Sequence, residues 1–258
     1  MLAVISPAKT LEFENIPPVP ETTLPDLLPQ SEYLIEKLKK LSVKKIGALM
    51  DISPKLAELN HQRFHEFHTP FNEKNAKPSI MVFKGDVYLG MKAEEFSEKE
   101  LKYAQHHLRM LSGLYGLLRP FDLMQPYRLE MGTSFAVTAA KKNLYQYWGN
   151  TITEKLNEAL EEAGTKTLLN LASQEYFKAV VPKKLKGNVV VCEFLDGKNG
   201  KHKVISFFAK KARGMMANYL IKNEVKSPAD LRGFDAEGYI YAPKLSTKDQ
   251  FIFTRDEK

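Results

Sequence analysis

Five short stretches of this 258-residue chain combine glycine with charged and aromatic residues more densely than plain core does. They run from Ser6 to Leu11, Phe83 to Tyr88, Leu108 to Gly132, Asn170 to Lys178 and Ile205 to Met216. Lys9 and Lys178 each follow an apolar strand or a strand and turn, where α/β sheets present ligand groups. A desolvated lysine at such a place can form a Schiff base with a sugar aldehyde. Asp86, Glu130 and Glu175 are the carboxylates available as acid or base beside it. With 38 basic and 31 acidic residues, several such Lys/Glu pairs arise by chance, so the pattern fixes no reaction. The chain contains no P-loop, dinucleotide GxGxxG, Ser-His-Asp elbow or HExxH.

The charge excess is concentrated. Between Lys178 and Lys226 lie twelve basic and three acidic residues, a net of +9 in a chain whose total is +7, so the remainder nets −2. Such a segment builds a local positive field suited to polyanions, or it is a merely soluble lysine-rich surface. His61, His65 and His68 recur at helical spacing, but the outer two stand ~10 Å apart along a helix axis, and solvated histidines are the simpler reading. One cysteine, Cys192, gives no disulfide framework and fits a reducing, cytoplasmic setting. No structural zinc site and no cofactor are expected. No apolar run reaches the ~20 residues of a membrane span, and Met1 to Pro7 lacks the features of a signal peptide.

The elements that must position these residues read as one α+β domain over 1–258, mixed and irregular, without clean βαβ periodicity. Strands are expected at the N-terminus and at Ile80–Phe83, Leu168–Leu171, Val189–Phe194, Lys203–Phe208, Tyr239–Tyr241 and Phe251–Phe253. Asp196 to Gly200 reads as a hairpin turn. Helices are expected from Ser31, after Ser42, after Ser53-Pro54, behind a Ser97/Glu100 capping box, over Leu144–Ala163 with Gly164 as the stop, and from Phe207 or Ala209 to Asn223.

Residues 42–68 resemble a helix-hairpin-helix, with its core at Val43 to Leu59. In that motif the amides opening the second helix meet a DNA phosphate, so it reads backbone and not sequence. Asp51-Ile52-Ser53 stands here where a glycine-rich hairpin is usual, and an ordinary capped helix pair accounts for the pattern equally well.

The five stretches, in this order, resemble the YaaA family of peroxide-stress proteins over Met1 to about Tyr241. The resemblance implies a cytosolic protein of peroxide resistance, linked to limiting free iron, that binds double-stranded and branched DNA. It also implies a fold with a positive cleft and a helix-hairpin-helix. On this reading the function is sequence-independent DNA binding that protects or repairs DNA under hydrogen peroxide. Lys9, Lys84, Arg109, Arg119, Arg128, Lys178, Lys210, Lys211 and Arg213 are the expected cleft residues, and Lys55 belongs to the hairpin contact. For each arginine, an ion pair with Asp86, Asp122 or Glu130 is the competing role. Tyr88, Tyr115, Tyr127 and Tyr176 can stack on unpaired bases or fill the core. Two alternatives stay open: a lyase or glycosylase-like enzyme using Lys9 or Lys178, and a protein that limits free iron.

Overall fold

Leu2 to Ile5 is apolar at every position and buried at every position, as a strand covered on both faces must be. It lies inside the main sheet, paired with a strand on each side. The computed structural model describes residues 1–256. In chain order the strands are β1 (Leu2–Ile5), β2 (Thr10–Leu11), β3 (Lys77–Pro78), β4 (Phe83–Lys84), β5 (Leu108–Ser112), β6 (Gly116–Leu118), β7 (Leu123–Met124), β8 (Thr167–Leu171), β9 (Asn188–Lys198), β10 (Lys201–Lys203), β11 (Ile240–Tyr241) and β12 (Gln250–Arg255). The helices are α1 (Leu28–Leu38), α2 (Val43–Met50), α3 (Pro54–Glu66), α4 (Ser79–Val82), α5 (Asp86–Met91), α6 (Glu98–His107), α7 (Leu144–Trp148), α8 (Thr151–Glu162), α9 (Gln174–Phe177) and α10 (Ser206–Lys222).

The main sheet has the order β11-β12-β9-β8-β1-β5-β6, with β10 folded back on β9. β5, β1, β8, β9 and β12 run parallel, while β6, β10 and β11 attach antiparallel. The class is therefore mixed α/β with a mostly parallel sheet. The helical crossovers α8 and α10 exist, but the long stretch between β1 and β5 and the short α9 obscure their period in the sequence. The chain adds β5 on one side of β1 and then returns to add β8 on the other. Strand order thus reverses between β1 and β8. The crevice beyond the carboxyl ends of two such strands is where open α/β sheets take ligands.

Several local expectations need correction. Ile80 to Val82 is helical, part of one turn (α4) that the Ser79 hydroxyl ties to the carbonyls of Arg119 and Pro120; only Phe83–Lys84 is strand, paired with Thr10–Leu11. Strand stops at Lys203 and α10 starts at Ser206, because Ala209, Ala212, Met216 and Leu220 bury one helical stripe. The single helix expected over Leu144–Ala163 breaks at Gly149 into α7 and α8; Gly164 ends the second in the left-handed region at φ +59°. The first long helix begins at Leu28, with Pro29 in its first turn, three residues earlier than expected.

The α2–α3 pair forms as anticipated. Ser42 and Ser53 each accept from the amide three residues on, both at 3.4 Å, and Ile46, Ala57 and Phe64 hold the pair on the core.

Candidate functional site

After Ile5 the chain leaves β1 through Ser6, Pro7 and Ala8 to Lys9. After Leu171 it leaves β8 through Ala172 to Ser173. The two exits are stitched together. The Ser173 amide donates to Ser6 Oγ at 2.9 Å, the two hydroxyls are 3.3 Å apart, and the Tyr88 hydroxyl donates to the Ser6 carbonyl at 3.1 Å. Above them opens a cleft of about 450 Å³. Its walls come from these exits, from β4 and α5 (Lys84, Asp86, Tyr88), from Glu130, from α9 (Glu175, Tyr176) and from α10 (Lys210, Arg213). Parallel strands end together on one side of a sheet, which is why residues so distant in sequence meet here.

The charges in the cleft fall into two groups. Lys9 Nζ pairs with Glu130 Oε2 at 2.8 Å, and Arg128 Nη2 with Glu130 Oε1 at 3.1 Å. Glu175 Oε1 accepts from the Gly132 amide at 2.9 Å. In contrast, the side chains of Lys84, Asp86, Lys210 and Arg213 make no ion pair or hydrogen bond among the described residues. Arg213 is partly buried; burial lowers its pKa from the ordinary value, opposed by Glu193. Burial raises the pKa of Tyr88 and of Tyr176, so both phenols stay protonated.

The structure brings together Lys9, Lys84, Asp86, Glu130, Glu175, Lys210 and Arg213, keeps Arg128 beside them through its pair with Glu130 though outside the lining, and sends the other candidates elsewhere. Lys210 and Arg213 share the cleft face of α10, whereas Lys211 turns to Glu237 beside Leu89 and Phe207. Arg109 and Arg119 do not line the cleft. Arg109 lies on β5, 3% exposed, donating to the carbonyls of Gln105 and Leu108, with Glu162 at 3.6 Å; burial lowers its pKa to about 10. Arg119 pairs with Asp26 and Asp122 in a separate small pocket that Arg109 also lines. Lys178 sits over the Tyr145 ring at 5.1 Å, outside the cleft lining. Lys55 is exposed on α3. Tyr115 and Tyr127 are core: Tyr115 donates to the Gln125 carbonyl, and Tyr127 bonds Ser112 Oγ at 2.6 Å. His65 Nδ1 lies 2.9 Å from the His61 carbonyl and His68 Nδ1 2.7 Å from that of Glu66. Among the described residues no three His, Cys, Asp or Glu side chains gather as a metal site. Sequence reasoning did not single out Ser6 and Ser173. The signal was their place directly after the apolar runs of β1 and β8.

A family model described as peroxide stress protein YaaA matches residues 1–245. The chain belongs to that family. A role in the response to peroxide comes with the membership, and the match contains every residue of the cleft. Within this member, Cys192 is buried on β9 and burial pushes its thiol well up. Peroxide reacts with thiolate, so this residue is held in its unreactive form. Among the described residues no helix is long and apolar enough to cross a membrane.

Proposed function

We propose that this YaaA-family chain binds DNA through its phosphate backbone, largely without regard to sequence, as its part in the peroxide response. The observation that carries the reading is the pair Lys210 and Arg213, without a hydrogen bond or ion pair on one face of α10, lining the same cleft as Lys9 and Lys84. Ten of the twelve basic residues between Lys178 and Lys226 are exposed, so their field projects into solvent, where a polyanion meets it. On this reading the α2–α3 pair acts as a helix-hairpin-helix; what supports it is that Lys44, Lys45 and Lys55 are exposed around its caps. Affinity for duplex DNA measured against salt tests the reading. If six phosphates are neutralised, the log–log slope is about −5. A slope near zero, or strong preference for one duplex sequence, would sink it.

The lyase-like alternative narrows to Lys9, which shares the cleft with Asp86, Glu130 and Glu175. Borohydride trapping on abasic-site DNA, with a Lys9→Ala control, separates it from plain binding.

A further inference from the structure

Three of the cations lining the cleft are unspent. Lys84, Lys210 and Arg213 have no acceptor among the described residues, and Arg213 is partly buried. Glu193 acts on Arg213 only from beyond ion-pair distance; a partly desolvated guanidinium with no hydrogen-bonded anion is costly, and its planar fork of five donors matches two oxygens of a phosphate. The charge count points the same way. Among the lining groups that have no hydrogen-bonded or ion-paired partner, Lys84, Lys210 and Arg213 give +3 and Asp86 gives −1, leaving +2, of which Glu193 offsets a part at Arg213 from outside the lining. A phosphodiester inside a strand offers one negative charge, whereas a phosphomonoester carries about −1.5 to −2 at neutral pH and three oxygens. Asp86 adds a restriction. An unpaired carboxylate repels bare phosphate but accepts from a hydroxyl or amine beside it, as a sugar or base provides. The volume of about 450 Å³ lies in the range of small-ligand sites and suits one nucleotide.

We infer that the cleft is a site for a nucleoside phosphomonoester, with the phosphate on Lys84, Lys210 and Arg213 and a ligand donor on Asp86. The phosphate belongs either to the end of a broken strand or to a free mononucleotide. For the strand end, the inference rests on the DNA-binding reading and deepens it, by making a phosphate-bearing terminus the preferred ligand.

Fluorescence anisotropy with single-stranded oligonucleotides differing only in a terminal phosphate or hydroxyl tests this, with thymidine 5′-monophosphate and inorganic phosphate as competitors. The phosphate-ended strand binds about tenfold more tightly at equal salt, through charge-assisted bonds that the hydroxyl lacks. That ratio falls towards one in Arg213→Gln and, should that variant fold poorly, in the exposed Lys210→Gln. It also shrinks as pH drops below about 6, where the monoester loses its second charge. Asp86→Asn narrows the preference of the site for thymidine 5′-monophosphate over inorganic phosphate. Competition by the mononucleotide identifies free nucleotide as a ligand; competition by phosphate-ended strands alone identifies the strand end. Equal affinity for both ends, with no mononucleotide bound, overturns the inference while leaving the DNA reading to its salt slope. Mononucleotide binding without any binding of hydroxyl-ended DNA removes the DNA reading and leaves the site. Inorganic phosphate competing as well as the nucleotide overturns the nucleoside part.

Discussion

Gly214 of α10 and Val87 of α5 meet backbone to backbone: a Cβ on the glycine would lie 1.7 Å from the Val87 carbonyl oxygen. The approach is reciprocal, since a Cβ on Gly90 would lie 2.1 Å from the Lys211 carbonyl oxygen. Neither neighbour is a flexible side chain, so neither can give way cheaply. This crossing sets the distance between Asp86, at the start of α5, and Lys210 and Arg213 on α10. The backbone of α5 fills the space that the missing side chain of Gly214 leaves. Gly214→Ala gains about 1 kcal/mol of helix propensity and loses more than that to overpacking, for a net destabilisation of about 2 kcal/mol or more. Urea unfolding checks it. Unchanged stability would show that the two helices part easily.

Much of the sheet is legible because parallel strands buried on both faces read as apolar runs: β1, β8, the first half of β9 and the core of β12 all do. β5 is not, because Leu108–Ser112 carries Arg109 and follows α6 with no glycine or proline between. α4 is misread for the opposite reason, four residues too few to show a helical period. For the site, the useful signal is position after a strand. It finds Lys9, and it points to Ser6 and Ser173. It fails for Lys178, which lies past a helical turn. Arg109 and Arg119 are lost because residue type alone does not separate a cation facing a cleft from one paired with Glu162, Asp26 or Asp122.

The double change Lys210→Ala with Arg213→Ala lowers the salt slope of DNA binding by about 2 and leaves folding nearly intact, since neither side chain has a hydrogen bond or ion pair to lose and Glu193 acts on Arg213 only from beyond ion-pair distance. Lys166→Ala with Lys186→Ala is the matched control. Both of those lysines are exposed and border a separate depression with Asn157 and Gly164. Equal losses in the two proteins would mean that overall charge, and no defined cleft, drives binding.

Lys55 stands exposed in the first turn of α3, behind the Ser53 cap. If the amides there receive a phosphate, Lys55→Glu places a repelling charge beside it and weakens DNA binding severalfold, in proportion to one lost phosphate contact. Ser53→Ala costs about 1 kcal/mol of stability and changes affinity little. A folded Lys55→Glu variant that binds like the parent makes the α2–α3 pair a structural element only.

Cys192 is 2% exposed and its thiol is raised by burial. A thiol reagent such as iodoacetamide therefore labels the native protein only as fast as it opens, and dilute peroxide leaves the residue reduced. Mass spectrometry of peptides after each treatment gives the answer. Rapid sulfenic acid formation at Cys192 would make the chain a direct peroxide sensor and overturn this account of the residue.

Glu237 joins α10 to the C-terminal strand. Its carboxylate takes Lys211 on one side and Arg255 at 3.1 Å on the other, while Arg255 also holds buried Asp196 at 2.6 Å. The hydrogen bond from Lys211 is the main reason its pKa lies below the ordinary 4.5; desolvation opposes it, and Arg255 adds to the lowering. A folded value below the unfolded one means that the unfolded chain binds more protons as pH falls. The stabilisation is therefore fully present above about pH 5 and is lost as pH drops through the folded value. Glu237 is about a third exposed, so solvent screening keeps the effect modest. Glu237→Gln lowers stability at neutral pH, and the gap to the parent closes as both are unfolded at successively lower pH towards about 3. The comparison needs only urea midpoints at each pH. A gap that is constant across the range would assign the loss to packing and not to the charge.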